Sequence, residues 1–276
     1  MDVTTAISER LRSIVGQNAF RKDMPNYTTT LANNFVAGAL DDEVRSDFSA
    51  GDGGELEGDP PKMCAAHSSS ALALNAFRPF RAHPERLVLA GLQGFTQANF
   101  EKKLPTGLLG NPPNLDFVVC GPSGVVAVES KFTEVLGAKR AKFAASYEGA
   151  IERLAGPAWS DVYRSLLADP RRFRHLDAAQ LVKHYLGIRH SLAQAEGSRV
   201  LMYVFWEPTN AADLPAFVRH RQELEEFAEA VADAEVAFHS VSYSILWDQW
   251  EAESQWDGMA EHVSSLRQRY ELSVPL

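Results

Sequence analysis

The chain has 276 residues, 45% hydrophobic and 23% charged, with a formal net charge of −9. Such a chain can bury a large core and reads as one soluble domain with elaborations rather than two independent ones. No apolar run reaches about 18 residues, which excludes a membrane-spanning helix.

Residues 1–5 lack the basic and apolar regions of a signal peptide, so the expected location is the cytoplasm, with no membrane partner. Ile7, Leu11 and Ile14 give residues 6–15 helical spacing, and Leu31, Phe35 and Leu40 do the same for 26–40. Between Asp41 and Pro60 stand eight acids (Asp41, Asp42, Glu43, Asp47, Asp52, Glu55, Glu57 and Asp59) against Arg45, a net of −7. Residues 41–61 read as a mobile acidic loop, with a DNA-mimicking flap as the sharper alternative. Because that tract holds most of the surplus charge, the rest of the chain is nearly neutral, and a polyanion is not excluded as partner. Cys64 and Cys120 have no motif spacing and read as small buried hydrophobes.

Ser68, Ser69 and Ser70 are N-cap candidates for a helix over 67–80. Pro84 near a first turn, with Gly91 and Gly94 near an end, predicts another over 84–94. Residues 96–104 read as a strand ending in Glu101-Lys102-Lys103. Two β-branched, apolar runs follow, Asn114-Leu115-Asp116-Phe117-Val118-Val119 and the stretch from Gly124 to Glu134, joined by Gly121-Pro122-Ser123-Gly124. They predict an antiparallel hairpin. Beyond it the pattern gives helices over 138–154 and 161–168 and a helix capped by Asp177. A strand over 199–206 is buried on both faces. A helix capped by Asp213, a strand over 236–246 and a last helix to Tyr270 complete the chain. The order around the hairpin, a three-strand meander and a helical crossover to a buried strand, implies a mixed sheet with helices on both faces.

Charges inside the hairpin are the chemical signal. Side chains alternate along a strand, so Glu129 and Lys131 point the same way, roughly 6–7 Å apart. A buried charge is costly unless it is paired or metal-bound. Two carboxylates, Asp116 and Glu129, and one ammonium meeting at the hairpin end suit a hard divalent cation and a water. The bland reading is a Glu129–Lys131 ion pair at a sheet end. Glu101 reads either as a further ligand or as a solvated strand end, and Glu85 either as a ligand or as a helix-dipole partner. Glu134 reads as a surface residue or a lysine partner. The eight histidines have no metal-ligand spacing and read as surface or capping groups.

These residues and their element order resemble the PD-(D/E)XK nuclease superfamily, whose core is α-β-β-β-α-β in the restriction-endonuclease-like fold. Asp116 matches the first acid, and Glu129-Ser130-Lys131, with twelve residues between Asp116 and Glu129, matches the acid-x-Lys. Leu115 stands where the motif's name has proline. The resemblance covers residues 68–206. It implies a restriction-endonuclease-like α/β fold for that core and says little about the first or last 60 residues; the expected division is an N-terminal helical extension over 1–66 and a nuclease-like domain over 67–276 with C-terminal helical elaborations. The resemblance further implies a Mg2+-dependent deoxyribonuclease, with Mn2+ as a substitute. Asp116, Glu129 and Lys131 would be catalytic, and Asp116, Glu129 and the Ser130 carbonyl would be metal ligands. DNA would be held by Lys139, Arg140 and Lys142 and by Arg171, Arg172, Arg174, Lys183 and Arg189. Cutting two strands with one site per chain favours a homodimer. The rival is a binding module, for nucleic acid or protein, on the same fold without turnover.

Overall fold

A computed structural model describes residues 2–36, 40–51 and 54–275. Five strands form: β1 (Gln97–Lys103), β2 (Asn114–Gly121), β3 (Gly124–Lys131), β4 (Ser198–Phe205) and β5 (Ala237–Ser242), of which β2, β3 and β4 carry the valine-rich runs. They lie side by side in chain order in one sheet. The first three are antiparallel, and β4 and β5 add in parallel. The turn from β2 to β3 needs glycine at 124, where φ is +140° and a Cβ would meet the Ser198 oxygen at 2.1 Å.

Helices cover both faces. Period-2 alternation sends Phe117, Val119, Val126 and Val128 into one core with α1 (Val3–Val15), α2 (Asp42–Ala50), α3 (Ser69–Ala82), α8 (Tyr243–Glu253) and α9 (Met259–Tyr270). Val118, Val125, Ala127 and Leu201 face the other core. It is built by α4 (Ser146–Leu154), α5 (Pro157–Ala168), α6 (Ala178–Ser191) and α7 (Pro215–Ala230). The result is an α/β protein with a five-stranded mixed sheet flanked by helices. Among the described residues no helix is long and apolar enough to cross a membrane.

Several elements differ from their expectation. Within 26–40 only the 3-10 turn Leu31–Asn34 is helical among the described residues, and 37–39 lie outside them. The chain there is drawn into bridges from Tyr27 to Ala65 and from Thr28 to Phe20. The helix over 84–94 reduces to the 3-10 turn Pro84–Arg86. Ala90 and Gly91, with φ of 52° and 73°, make a tight turn that bridges Leu89 to Leu92. The helix over 138–154 begins only at Ser146, because 139–141 pair with another loop. Pro215 starts α7, with Leu214 and not Asp213 at its cap. The strand over 236–246 ends at Ser242, whose hydroxyl caps α8.

The acidic tract is not a loop throughout. Asp41 caps α2 through the Val44 N–H at 2.8 Å, and Val44 and Phe48 are buried. Asp47 accepts from Arg81 Nε at 2.6 Å and from the Phe100 N–H at 3.0 Å, fastening α2 to β1. Asp52, counted in that tract, lies outside the described residues.

Candidate active site

The site forms where two ladders fail at the same level of the sheet. Pairing of β2 with β3 runs from Gly121–Gly124 to Phe117–Val128 and stops. One step further the same register would set Asp116 opposite Glu129. Instead the Asp116 Oδ2 accepts the Ser130 N–H at 2.6 Å, so a side-chain carboxylate occupies the place of a ladder carbonyl. On the other edge of β2, pairing with β1 skips Glu101, whose φ of 46° is left-handed. Such a conformation in a non-glycine residue is strained and persists only where surroundings impose it.

Alternation along β3 puts Glu129 and Lys131 on the face of Val125 and Ala127, and Ser130 on the other. There the Ser130 hydroxyl meets the Tyr243 hydroxyl at 2.7 Å. Glu129 is 2% exposed. Its Oε1 accepts from Lys131 Nζ, and its Oε2 lies 2.8 Å from Nε2 of the buried His184 on α6. The His184 ring is turned so that neither nitrogen makes a well-aligned hydrogen bond, and the Glu129 contact is chiefly electrostatic.

Charge is unbalanced here. Burial, then Glu55 and Glu129, raises the Glu101 carboxyl to about 7, although Asn114 donates to it at 3.3 Å. Asp116 is held well above the usual carboxylate range by burial and by Glu129 and Glu101. Burial alone would raise Glu129 too, but Lys131 and His184 outweigh it and bring it down to about 2. Burial would lower Lys131; the carboxylates of Glu129, Glu134 and Asp116 reverse that and raise it. Glu134 itself accepts the Phe132 N–H at 2.7 Å.

These groups fit a divalent ion in donor type and charge. Asp116 and Glu129 offer hard oxygens, and one ammonium does not balance the acids around it. The N–H of Ser130 points to β2, and in an extended strand the carbonyl of the same residue points the same way. The neighbouring Lys131 carbonyl faces β4, where it accepts from Trp206 N–H at 2.8 Å. The set is two carboxylates and a carbonyl; among the described residues no three His, Cys, Asp or Glu side chains form a metal cluster. Glu129 would exchange Lys131 for the ion.

The structure thus brings together Asp116, Glu129, Ser130 and Lys131, with Glu101 beside them. Glu85 stands apart, exposed and against His83 at 3.3 Å and Arg86 at 3.8 Å. The two basic stretches meet: Lys139 N–H donates to Arg174 O at 2.7 Å and Ala141 N–H to Pro170 O at 2.8 Å. Arg172 is paired with Glu226 at 2.9 Å and Arg189 with Glu235 at 3.1 Å, and Lys183 lies 5.7 Å from the Phe143 ring. Lys139, Arg140, Lys142, Arg171 and Arg174 form no ion pair among the described residues. Trp247 and Trp250 are core residues.

His184 corrects the reading of the histidines as surface groups. Its signal was present: it falls one turn from Leu181 and one from Ile188, on the buried stripe of α6. Glu55 was counted only as loop charge, yet its charge helps raise the Glu101 carboxyl.

The fold and the site make this an α/β protein with a buried carboxylate–lysine cluster where the ladders of a mixed sheet open. The model of one family, restriction endonuclease associating with ARP, matches residues 6–271, and the chain belongs to that family. Membership carries a nuclease-like role. No curated protein and no solved structure matches the chain.

Proposed function

We propose that the protein is a Mg2+-dependent nuclease of the PD-(D/E)XK type that hydrolyses phosphodiester bonds of DNA. The observation that carries this reading is the Asp116 carboxylate seated on the Ser130 N–H, beside the Glu129–Lys131 pair. Asp116, Glu129 and the Ser130 carbonyl would hold Mg2+, or Mn2+ in its place, with Glu101 adjacent. The ion, when bound, supplies Lewis acidity and a water of lowered pKa. Lys131, released from Glu129, orients the attacking water or donates to the phosphoryl oxygen where negative charge develops. Lys139, Arg140, Lys142, Arg171 and Arg174 supply phosphate contacts, which position DNA without reading its sequence. In this reading residues 68–206 hold the chemistry in the restriction-endonuclease-like fold, and residues 1–66 are an extension. The chain works in the cytoplasm, as a homodimer on duplex DNA, and the family's description adds ARP as an associate.

A second reading is a binding module without turnover. It is favoured by one observation: both Glu129 oxygens already face cationic or polar partners. Plasmid and single-stranded DNA incubated with Mg2+, Mn2+ or EDTA separate the two. The nuclease reading expects metal-dependent cutting that Asp116→Asn and Lys131→Ala abolish. Retention of DNA with no cutting in either metal would overturn it in favour of the module.

A further inference from the structure

We infer that His184 is a positioning residue for Glu129, fixing the carboxylate that would receive the divalent ion; this rests on the metal-dependent reading above. The stripe of α6 consists of Leu181, Tyr185 and Ile188, all buried in the second core. An apolar side chain would satisfy position 184 by packing alone. Histidine there is 1% exposed, and neither ring nitrogen has an aligned hydrogen-bond partner. An unpartnered polar atom in a core disfavours folding. What position 184 gains in return is the approach of Nε2 to Glu129 Oε2, at 2.8 Å.

The two partners of Glu129 differ in kind. Lys131 is a flexible four-carbon chain with 12% of its side chain exposed, able to leave Oε1 for a cation. His184 has two side-chain torsions and stands mid-helix inside a packed core. When Oε1 exchanges the ammonium for an ion, His184 still holds Oε2, and the carboxylate does not rotate. The hold is the close, chiefly electrostatic approach of the ring edge to the carboxylate. Outer partners that orient metal-binding side chains act in this way, and their loss weakens metal binding without removing a ligand.

The test is Mn2+ binding by the full chain, read by the electron paramagnetic resonance of free Mn2+ and by calorimetry. His184→Leu should weaken Mn2+ binding about 10- to 100-fold. Its metal-free melting temperature should fall, because the buried Glu129 Oε2 loses its partner, and far-UV circular dichroism should show the fold retained. His184→Gln, which keeps an N–H donor, should recover most of the affinity. His184→Met, unbranched and of similar size, gives the same readout if the leucine variant does not fold. Wild-type affinity in the apolar variants would overturn the inference. If the wild-type chain binds no Mn2+, or binds it equally with Glu129→Gln, the metal-dependent reading itself falls instead.

Discussion

The carboxylate of Asp116 accepts the Ser130 N–H, yet burial and the neighbouring Glu129 and Glu101 oppose its ionisation. Asparagine keeps an oxygen for that hydrogen bond and removes the repulsion. Asp116→Asn should therefore be stabilised at pH 8 by about 1 kcal/mol while losing cleavage, as urea unfolding and a plasmid assay would show. Lys131 behaves oppositely, because it is the counter-charge of a nearly buried Glu129. Lys131→Ala should cost roughly 3 kcal/mol and reduce cleavage at least about 100-fold; an unchanged urea midpoint would contradict the pairing. Glu101 supplies the pH dependence. Its carboxyl sits at about 7 in the fold against an ordinary 4.5, so between those values the folded chain binds more protons than the unfolded one. That stability is fully present below about pH 4.5 and is lost as pH rises through 7. The melting temperature should decline across this window, and Glu101→Gln should flatten the decline.

Among the elements, the basic loop before α6 wraps a buried acid. Glu223 on α7 accepts the N–H groups of Arg174, His175 and Leu176 at 2.9, 2.7 and 2.9 Å. His175 Nδ1 also reaches Val135 O at 2.7 Å, tying the loop to the chain that leaves β3. Glu223→Ala leaves those donors unpaired and should cost about 3 kcal/mol. Faster amide exchange over 172–176 is the accompanying sign; exchange at the wild-type rate would show that the loop is held otherwise. The acidic helix α2 has a structural role. Phe48 stacks on Phe100 with ring centroids 5.7 Å apart and is 4% exposed. Phe48→Ala should cost about 3 kcal/mol in urea unfolding. Deleting 42–59 should accordingly give an unfolded chain, not the hyperactive nuclease that a dispensable flap would leave.

For the whole molecule, the net charge of −9 conceals a segregation. Acids concentrate at 41–61, while Lys139, Arg140, Lys142, Arg171 and Arg174 gather on one ribbon of paired loops. Each phosphate contact contributes a slope of about −0.9 to the logarithm of affinity against that of salt. Neutralising Lys139, Arg140 and Lys142 to alanine should then reduce the slope by up to about three. Duplex binding measured over a salt series checks this, and an unaltered slope would take the ribbon out of the interface.

The hairpin of β2 and β3, the central strand β4 and the acid–acid–lysine set were legible in the sequence because each is local. Alternation, a glycine turn and a continuous apolar run state which side chains share a face. The same patterns misread residues 84–94 and 138–145, where helical spacing exists but non-helical turns and pairing to a distant loop prevail. Three features of the site were decided only by tertiary structure. The ladder opens at Asp116, His184 reaches Glu129 from a helix more than fifty residues on, and two basic stretches meet through Lys139 and Arg174. Periodicity tells a residue which way to face within its own element. It carries no information on which groups from other elements will be facing it, and at this site those groups set the charge.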